Sequence, residues 1–416
     1  MNDPRASVGA SPSASAPTVR RARAGVSLMF FTNGVLFAAL LPRYPEIKAA
    51  LGLSNAGFGL AVVAFALGSI TAAAVGAPIV RRYGARAVTA VGSAALAAVM
   101  TLAGGAPSLA VFVLALFVGG AVDAVVDTAQ NVHGVAVERW KGSSIINSLH
   151  ATWSLGAATG GVIGAVGANL GIPLGWQMGV NGAVWTLAAI GASVLARVPA
   201  RVEEAAETAG EAAAGAALEA PATAPRRPFV LLLPLVALAI CGTVVEDVAS
   251  NWVVLFLHTE TAAPAQVATL GVATVVASQF VGRVLGDPMT DRWGRERVAV
   301  SGGLLIALGA ALVVAPTAYP VAMLGFGLAG FGSATLVPAA FAAADRVPGL
   351  PEGTGIALVG WLMRLGFLLT SPLIGVVSQA SSLRVALVLP LVGGLVAAGI
   401  SLRARRAQSS GRSSSA

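Results

Sequence analysis

Charge is what this sequence has least of. Asp, Glu, Lys and Arg make up 11% of its 416 residues, against about 25% in a soluble globular domain. Hydrophobic residues make up 56%, and the mean hydropathy is +0.82. This excludes a soluble globular fold and indicates a chain that crosses a membrane many times. Cysteine occurs once, at Cys241 in an apolar run, so no internal disulfide can form. The three histidines, His133, His150 and His258, have no metal-binding spacing, and no phosphate-cradling GxxxxGK[ST] is present. No metal, no cofactor, no ATP-driven motor and no enzymatic chemistry is therefore expected. Residues 1–23 lack the charged, then apolar, then small-residue order of a removable signal peptide, so none is expected.

What is present is length of apolar run. Stretches able to span about 30 Å of hydrocarbon cover 24–42, 54–80, 86–105, 108–137, 144–170 and 176–196, then 229–257, 265–288, 298–315, 318–344, 354–378 and 384–402. In lipid every backbone polar group must bond within its own segment, so all are expected to be helices. The expected organisation is an all-α membrane protein of twelve transmembrane helices. It has a disordered arm over 1–23, a six-helix bundle over 24–197, a polar linker over 198–228, a second bundle over 229–403 and a disordered tail over 404–416. The linker carries Glu203, Glu204, Glu207, Glu211 and Glu219 among alanines, then Pro225-Arg226-Arg227-Pro228.

Sidedness follows from the basic residues. The side of both termini holds 21 of the 26 Lys and Arg residues; the opposite loops hold only Arg43, Lys48 and Arg384, while Arg283 and Arg364 fall inside helices. The positive-inside rule then puts both termini and the linker in the cytoplasm, with the chain multi-pass in the cell membrane. The net charge of +8 is thereby topological and calls for no nucleic-acid partner.

The two halves align at an offset of 210 residues: Gly76-x-Pro78 with Gly286-x-Pro288, Arg82-Tyr83-Gly84 with Arg292-Trp293-Gly294, and Gly156 with Gly366. Two parallel six-helix repeats imply a pseudo-two-fold axis along the membrane normal, the arrangement of the major facilitator transporters. The loop Asp291-Arg292-Trp293-Gly294-Arg295-Glu296-Arg297 resembles the loop after the second helix of each half in that superfamily. Glycine permits the tight turn, and an Asp–Arg pair across bundle ends would latch one conformation. In the first half only Arg82, Gly84 and Arg86 keep the pattern; Arg81 stands where the acid belongs and Ala85 where a base belongs. Positive-inside anchoring alone is the competing account.

Four carboxylates lie inside the apolar stretches. Asp127 sits mid-way along 108–136, and Asp123, Asp127 and Asn131 at i, i+4 and i+8 share one helix face. A charge at membrane depth costs about 2.5–3.5 kcal/mol on insertion scales and is kept for a proton, an ion or a polar solute. Asp127 is the candidate proton carrier, and Asp123 stands as its pair or relay; a structural bond to a neighbouring helix is the bland alternative. Asn147, His150 and Ser154 form one stripe with Trp153 beside it, suited to hydroxyl groups and apolar sugar faces, or to interhelical polar glue. Glu246 and Asp247 are adjacent acids, with Asn251 one turn on; Glu246 is a third candidate in proton coupling. Gln279 and Arg283 follow in the next helix, Trp361 and Arg364 later, and Thr32 and Asn33 in the first helix add hydrogen-bonding groups. Arg364 needs a counter-ion or an anionic ligand.

Leu41-Pro42-Arg43, Val126-Asp127-Thr128-Ala129-Gln130-Asn131 and Asn147-Ser148-Leu149-His150-Ala151-Thr152-Trp153-Ser154-Leu155-Gly156 together resemble the fucose permease family of proton–sugar symporters. The resemblance implies that the proton-coupling acid falls on Asp127 and its neighbouring Asn on Asn131. Asn131 to Arg139 and Glu246 to Trp252 are more similar to a related group of bacterial inner-membrane transporters whose substrates are poorly defined. One feature departs: Phe37-Ala38-Ala39-Leu40-Leu41-Pro42 lacks the first-helix acid of the fucose permease, so Glu246, Asp247 or Asp123 substitutes for it, or the solute is not a sugar. The expected function is secondary active transport of a small polar solute by alternating access, with proton symport, by a monomer whose partners are solute, protons and the bilayer. The alternatives are a proton antiporter exporting a drug or metabolite, towards which the glycines of 156–164 lean, and a non-transporting sensor or scaffold. The sidedness has a direct check. A fluorescent protein fused after Ala416 should fluoresce and an alkaline phosphatase there should stay inactive; the reverse pair would invert the topology.

Overall fold

The computed structural model describes residues 16–142, 145–199, 202, 226–316, 318–344, 346–348, 350 and 354–413. Among the described residues the regular structure is helical throughout. The first half consists of α1 (Ala16–Ala38), α2 (Asn55–Tyr83), α3 (Ala85–Gly104), α4 (Leu109–Lys141), α5 (Ile146–Asn169) and α6 (Leu174–Leu195). The second consists of α7 (Arg226–Asn251, resumed as Val253–Glu260), α8 (Gly271–Trp293), α9 (Arg295–Val314), α10 (Tyr319–Ser333, resumed as Leu336–Ala344), α11 (Thr354–Leu362, resumed as Arg364–Ala380) and α12 (Val388–Ser413).

Eleven spans among the described residues are long and apolar enough to cross a membrane. The twelfth is α5, whose His150, Thr152, Ser154 and Thr159 dilute its apolar character. Large side chains such as Val91, Leu114, Leu187 and Leu233 are more than 60% exposed around the outside, an apolar surface that only lipid can cover. The helices overrun the apolar spans at both ends. α1 begins at Ala16 and α12 runs to Ser413, into residues that the sequence assigns to a disordered arm and tail. Once a span has nucleated a helix, Ala and Arg extend it at little cost. Most of the linker falls outside the described residues.

Starts and stops have local causes. Ser54 Oγ accepts from Gly57 N at 3.1 Å to open α2, and Ser108 Oγ accepts from Val111 N at 3.4 Å to open α4. Glu138 Oε2 accepts from Ile145 N at 2.7 Å and Ile146 N at 3.1 Å, so the end of α4 caps the start of α5. Gly84 and Gly294 take φ of 78° and 84° between the second and third helix of each half, where a side chain would be strained.

Small residues set the spacing within each half. A Cβ on Gly120 of α4 would strike the Phe65 carbonyl of α2, and one on Gly330 of α10 would strike the Val275 carbonyl of α8. Both partners are displaced by the same 210 residues, so the sequence repeat is also a repeat of contacts. Likewise Gly156 of α5 abuts the Phe31 backbone of α1, and Gly366 of α11 abuts Thr243 of α7.

The halves meet along two helix pairs. α2 crosses α11 where Gly59 touches the Ser371 carbonyl and a Cβ on Gly375 would lie 2.7 Å from the Asn55 carbonyl. Asn55 N donates to Gln379 Oε1 at 3.2 Å beside it. α5 crosses α8 where a Cβ on Gly161 would lie 3.3 Å from Ala273 N, and Asn169 Nδ2 donates to the Gln266 carbonyl at 3.3 Å. These contacts close the end of the molecule opposite the termini. Two arginines, Arg43 buried and Arg384 half-buried, tie that same end within each half. Arg43 bonds Gln177 Oε1 at 2.5 Å, Glu46 Oε2 at 2.7 Å and the Ile172 carbonyl at 3.0 Å. Arg384 bonds the Ala315 carbonyl at 2.5 Å and the Glu260 carbonyl at 2.6 Å.

Gly156→Leu should therefore lower stability by about 2 kcal/mol or more, since overpacking against backbone has nowhere to relax. Gly191, where a Cβ meets nothing within 4 Å, should accept Leu unchanged. Thermal unfolding of the purified variants in detergent compares them; equal midpoints would contradict the packing role.

Candidate functional site

Between the halves lies a cavity of about 310 Å³. Its first-half wall includes Phe37, Tyr44, Phe65, Asp123 and Trp153; its second-half wall includes Glu246, Asp247, Asn251, Gln279 and Arg364. This combines aromatic faces with a few converging polar groups, the usual make-up of a small-molecule site.

The first-half polar groups form a chain. Trp153 Nε1 donates to Asn33 Oδ1 at 2.7 Å, and Asn33 Nδ2 donates to Asp123 Oδ1 at 2.9 Å. The indole thereby orients the amide, and the amide holds the acid. One turn nearer the termini, Asn131 Nδ2 donates to Asp127 Oδ1 at 3.0 Å and to the Asp127 carbonyl at 2.9 Å. Asp127 is exposed and Asn131 half-buried. Asp127 and Asn131 share the helix face of Asp123, which lines the cavity between the halves, so this face looks inward and not at lipid. His150 is exposed, with its ring edge-on to Phe30 at 5.4 Å. Asp127, Asn131 and His150 stand outside the 310 Å³ cavity, on the side of the termini.

The second-half acids have different partners. Asp247 is 4% exposed and takes Ser371 Oγ at 2.5 Å and Asn251 Nδ2 at 3.0 Å. Glu246 Oε1 takes Arg283 Nη2 at 3.0 Å and Gln279 Nε2 at 3.3 Å, and Gln279 also donates to Ser333 at 3.0 Å. Arg283 reaches across the halves to Ser154 Oγ. Arg364 donates to Ser69 Oγ of α2 at 3.2 Å and acts on Asp123 as well as on Asp127. Across the cavity from Arg364 stands Asp123.

Some expected residues are elsewhere. Trp361 is 56% exposed and does not line the cavity; the break of α11 at Met363 offsets it from Arg364. The Asn147 side chain lies outside the described residues. Asp291, Arg292 and Arg82 are exposed, Arg82 against the Tyr83 ring at 5.5 Å, while Arg86 and Arg295 are half-buried. Ser371, Ser69 and Tyr44 escaped the sequence reading. Ser371 had one available signal, its seven-residue spacing from Arg364, which puts both on one face. Among the described residues no group of three or more His, Cys, Asp or Glu is placed to hold a metal ion.

A family model described as Major Facilitator Superfamily matches residues 26–276 and 247–416. An uncharacterized MFS-type transporter of Yersinia pestis is 28% identical over 359 residues, 86% of this chain and 89% of its own. The xylose transporter XylE from E. coli, in a partially occluded inward-open conformation, has a TM-score of 0.69 at 14% identity, covering 92% or more of both chains (93% and 98%). The transporter FucP in the outward conformation has a TM-score of 0.56 at 16% identity, covering 94% of this chain and 99% of its own.

The Glu246–Arg283 pair is mostly shielded, with side chains 30% and 22% exposed. Glu246→Ala leaves the guanidinium without its acid and should lower stability by about 2 kcal/mol. Joint replacement of both residues by Gln should recover most of that loss. A double variant no more stable in thermal unfolding than Glu246→Ala would deny the coupling.

Proposed function

The chain belongs to the major facilitator superfamily of membrane transporters, and on that premise we propose that it moves a small polar solute by alternating access with proton symport. The observation that carries the reading is the distribution of charge about the cavity. Asp123 of α4 stands on one wall, Arg364 stands on the other, and Asp127 lies one turn beyond the cavity on the side of the termini. A carboxylate reachable from the open end and one turn from a cavity acid suits a proton carrier. Asp127 is that carrier, with Asp123 as the relay to the solute and Asn33 and Trp153 holding the relay in place.

The solute is small and rich in hydroxyl groups, a sugar or similar polyol. Trp153, Phe37 and Tyr44 offer apolar faces, and Asp123, Asn251, Gln279 and Arg364 offer hydrogen bonds. With both termini cytoplasmic, as the basic loops favour, the closed end faces outward and the conformation is inward-facing. The better overlay on an inward-open neighbour, 0.69, than on an outward one, 0.56, supports this. The glycines of α5 lose their weight as a sign of export, because Gly156, Gly160 and Gly164 are each taken up by packing on the α1 segment. Asp291 and Arg292, both exposed here, serve as the latch that forms when the cytoplasmic end closes.

Proteoliposomes with an imposed pH gradient, challenged with a panel of monosaccharides and polyols, test this. Wild type should concentrate one solute with the proton gradient. Asp127→Asn should reduce concentrative uptake by about tenfold or more while keeping solute exchange, and Asp291→Asn should slow turnover without loss of insertion. Concentration by Asp127→Asn at the wild-type level would end the coupling assignment, and uptake against the gradient would mark an exporter.

A further inference from the structure

The cavity and the seal beyond it share one carboxylate. Asp247 lines the cavity, yet both of its oxygens are turned to groups that form the closed end. Oδ2 accepts from Ser371 Oγ at 2.5 Å, and Oδ1 accepts from Asn251 Nδ2 at 3.0 Å. With its proton committed to Asp247, Ser371 Oγ has lone pairs free. It accepts Trp252 Nε1 at 3.0 Å and Asn251 Nδ2 at 3.1 Å. One hydroxyl therefore joins α11 to the point where α7 breaks.

The same residues make the surface against which the first half closes. Trp252 is fully buried, and the edge of its ring meets Phe58 of α2 at 5.5 Å and 86°. Phe58 in turn packs edge-on against Tyr44 at 5.5 Å. The Ser371 carbonyl lies against Gly59, where a Cβ would not fit, and its ring neighbour Trp252 lies 3.2 Å from the same point. Thus the seam between α2 and α11 rests on a backbone and an indole, each positioned by Ser371.

We propose that Asp247 is the anchor of this gate: its bond to Ser371 fixes the face on which α2 closes, and loss of that bond opens the seam. At 2.5 Å the bond lies at the short end for a hydroxyl on a carboxyl oxygen. It is also accessible to competition, because the carboxylate is part of the cavity wall. Any donor group brought into the cavity that claims Asp247 takes it from Ser371. The inference rests on the transporter reading only in needing two conformations. Polar glue between α7 and α11 is the plain alternative; it would affect folding but not the width of the seam.

Nitroxide labels at Ala50→Cys and Ala380→Cys, both exposed at the closed end, in a Cys241→Ala full-length chain, read that width by pulsed electron resonance. The unsubstituted seam should show a dominant short distance. Ser371→Ala, which removes one oxygen, should raise the long-distance population about tenfold relative to the short, as loss of a hydrogen bond implies. Asp247→Ala should do the same, the double variant should add nothing further, and Ser371→Thr should restore the short distance. Distributions for folded Ser371→Ala that superimpose on the parent, or additive effects in the double variant, would overturn the proposal. Should Asp247→Ala fail to fold, Ser371→Ala and Ser371→Thr decide alone. No transported solute enters the measurement, so failure of the symport reading and failure of the gate are seen separately.

Discussion

A charge inside hydrocarbon has no water to solvate it, and the arrangement of this protein follows from where each such charge finds its partners. Asp123 of α4 is held by Asn33 of α1, Glu246 of α7 by Arg283 and Gln279 of α8, and Asp247 of α7 by Ser371 of α11. Each of these bonds joins helices of the same half. Across the halves the bonds described end on neutral acceptors: Ser154, Ser69, a glutamine amide and a backbone carbonyl. Among the described residues, every ion pair given lies within one half. Bonds between opposite charges are thus kept inside each half. The facing surfaces of the halves are joined by glycine contacts, by two neutral hydrogen bonds worth about 0.5–1.5 kcal/mol each, and by two from arginines to serines worth about 1.5–3 kcal/mol each. Halves tied internally by ion pairs, and to each other only through uncharged acceptors, suit a rocking motion.

The arginines at the closed end serve the same division. Arg43 fastens the end of α1 to α6 and to the loop before it, and Arg384 fastens the start of α12 to the end of α9 and to Glu260. Each gathers loose carbonyls at one tip of one half. Their place on the sparsely charged side is therefore structural, and the asymmetry of the remaining basic loops is cleaner than a simple count implies.

Much of this was legible in the sequence because it is periodic or long. The twelve spans, the 210-residue repeat and the shared face of Asp123, Asp127 and Asn131 follow from hydropathy and helical spacing. Partnerships between distant segments were not legible. Nothing local to Asn33 says that it will bridge Asp123 and Trp153, 90 and 120 residues away. Serines are common in membrane helices, and Ser371 differs from the others only in what it meets. Trp361 and Arg364 look like one stripe at three-residue spacing until α11 breaks between them at Met363, where the sequence has neither Gly nor Pro. The break at Trp252 in α7 is equally silent.

Gly84 and Gly294 take nearly the same backbone angles, φ 78° and ψ 142° against φ 84° and ψ 148°. Yet the charged residues around Gly84 have drifted from those around Gly294. The bend is shared by both halves where the side chains around it are not. If the halves descend from one duplicated ancestor, selection has guarded the bend in both copies while leaving the lock free to decay in one. Two identical elbows can then serve unequal arms, and a lineage can re-tune one side of such a machine without disturbing the geometry that lets both sides move.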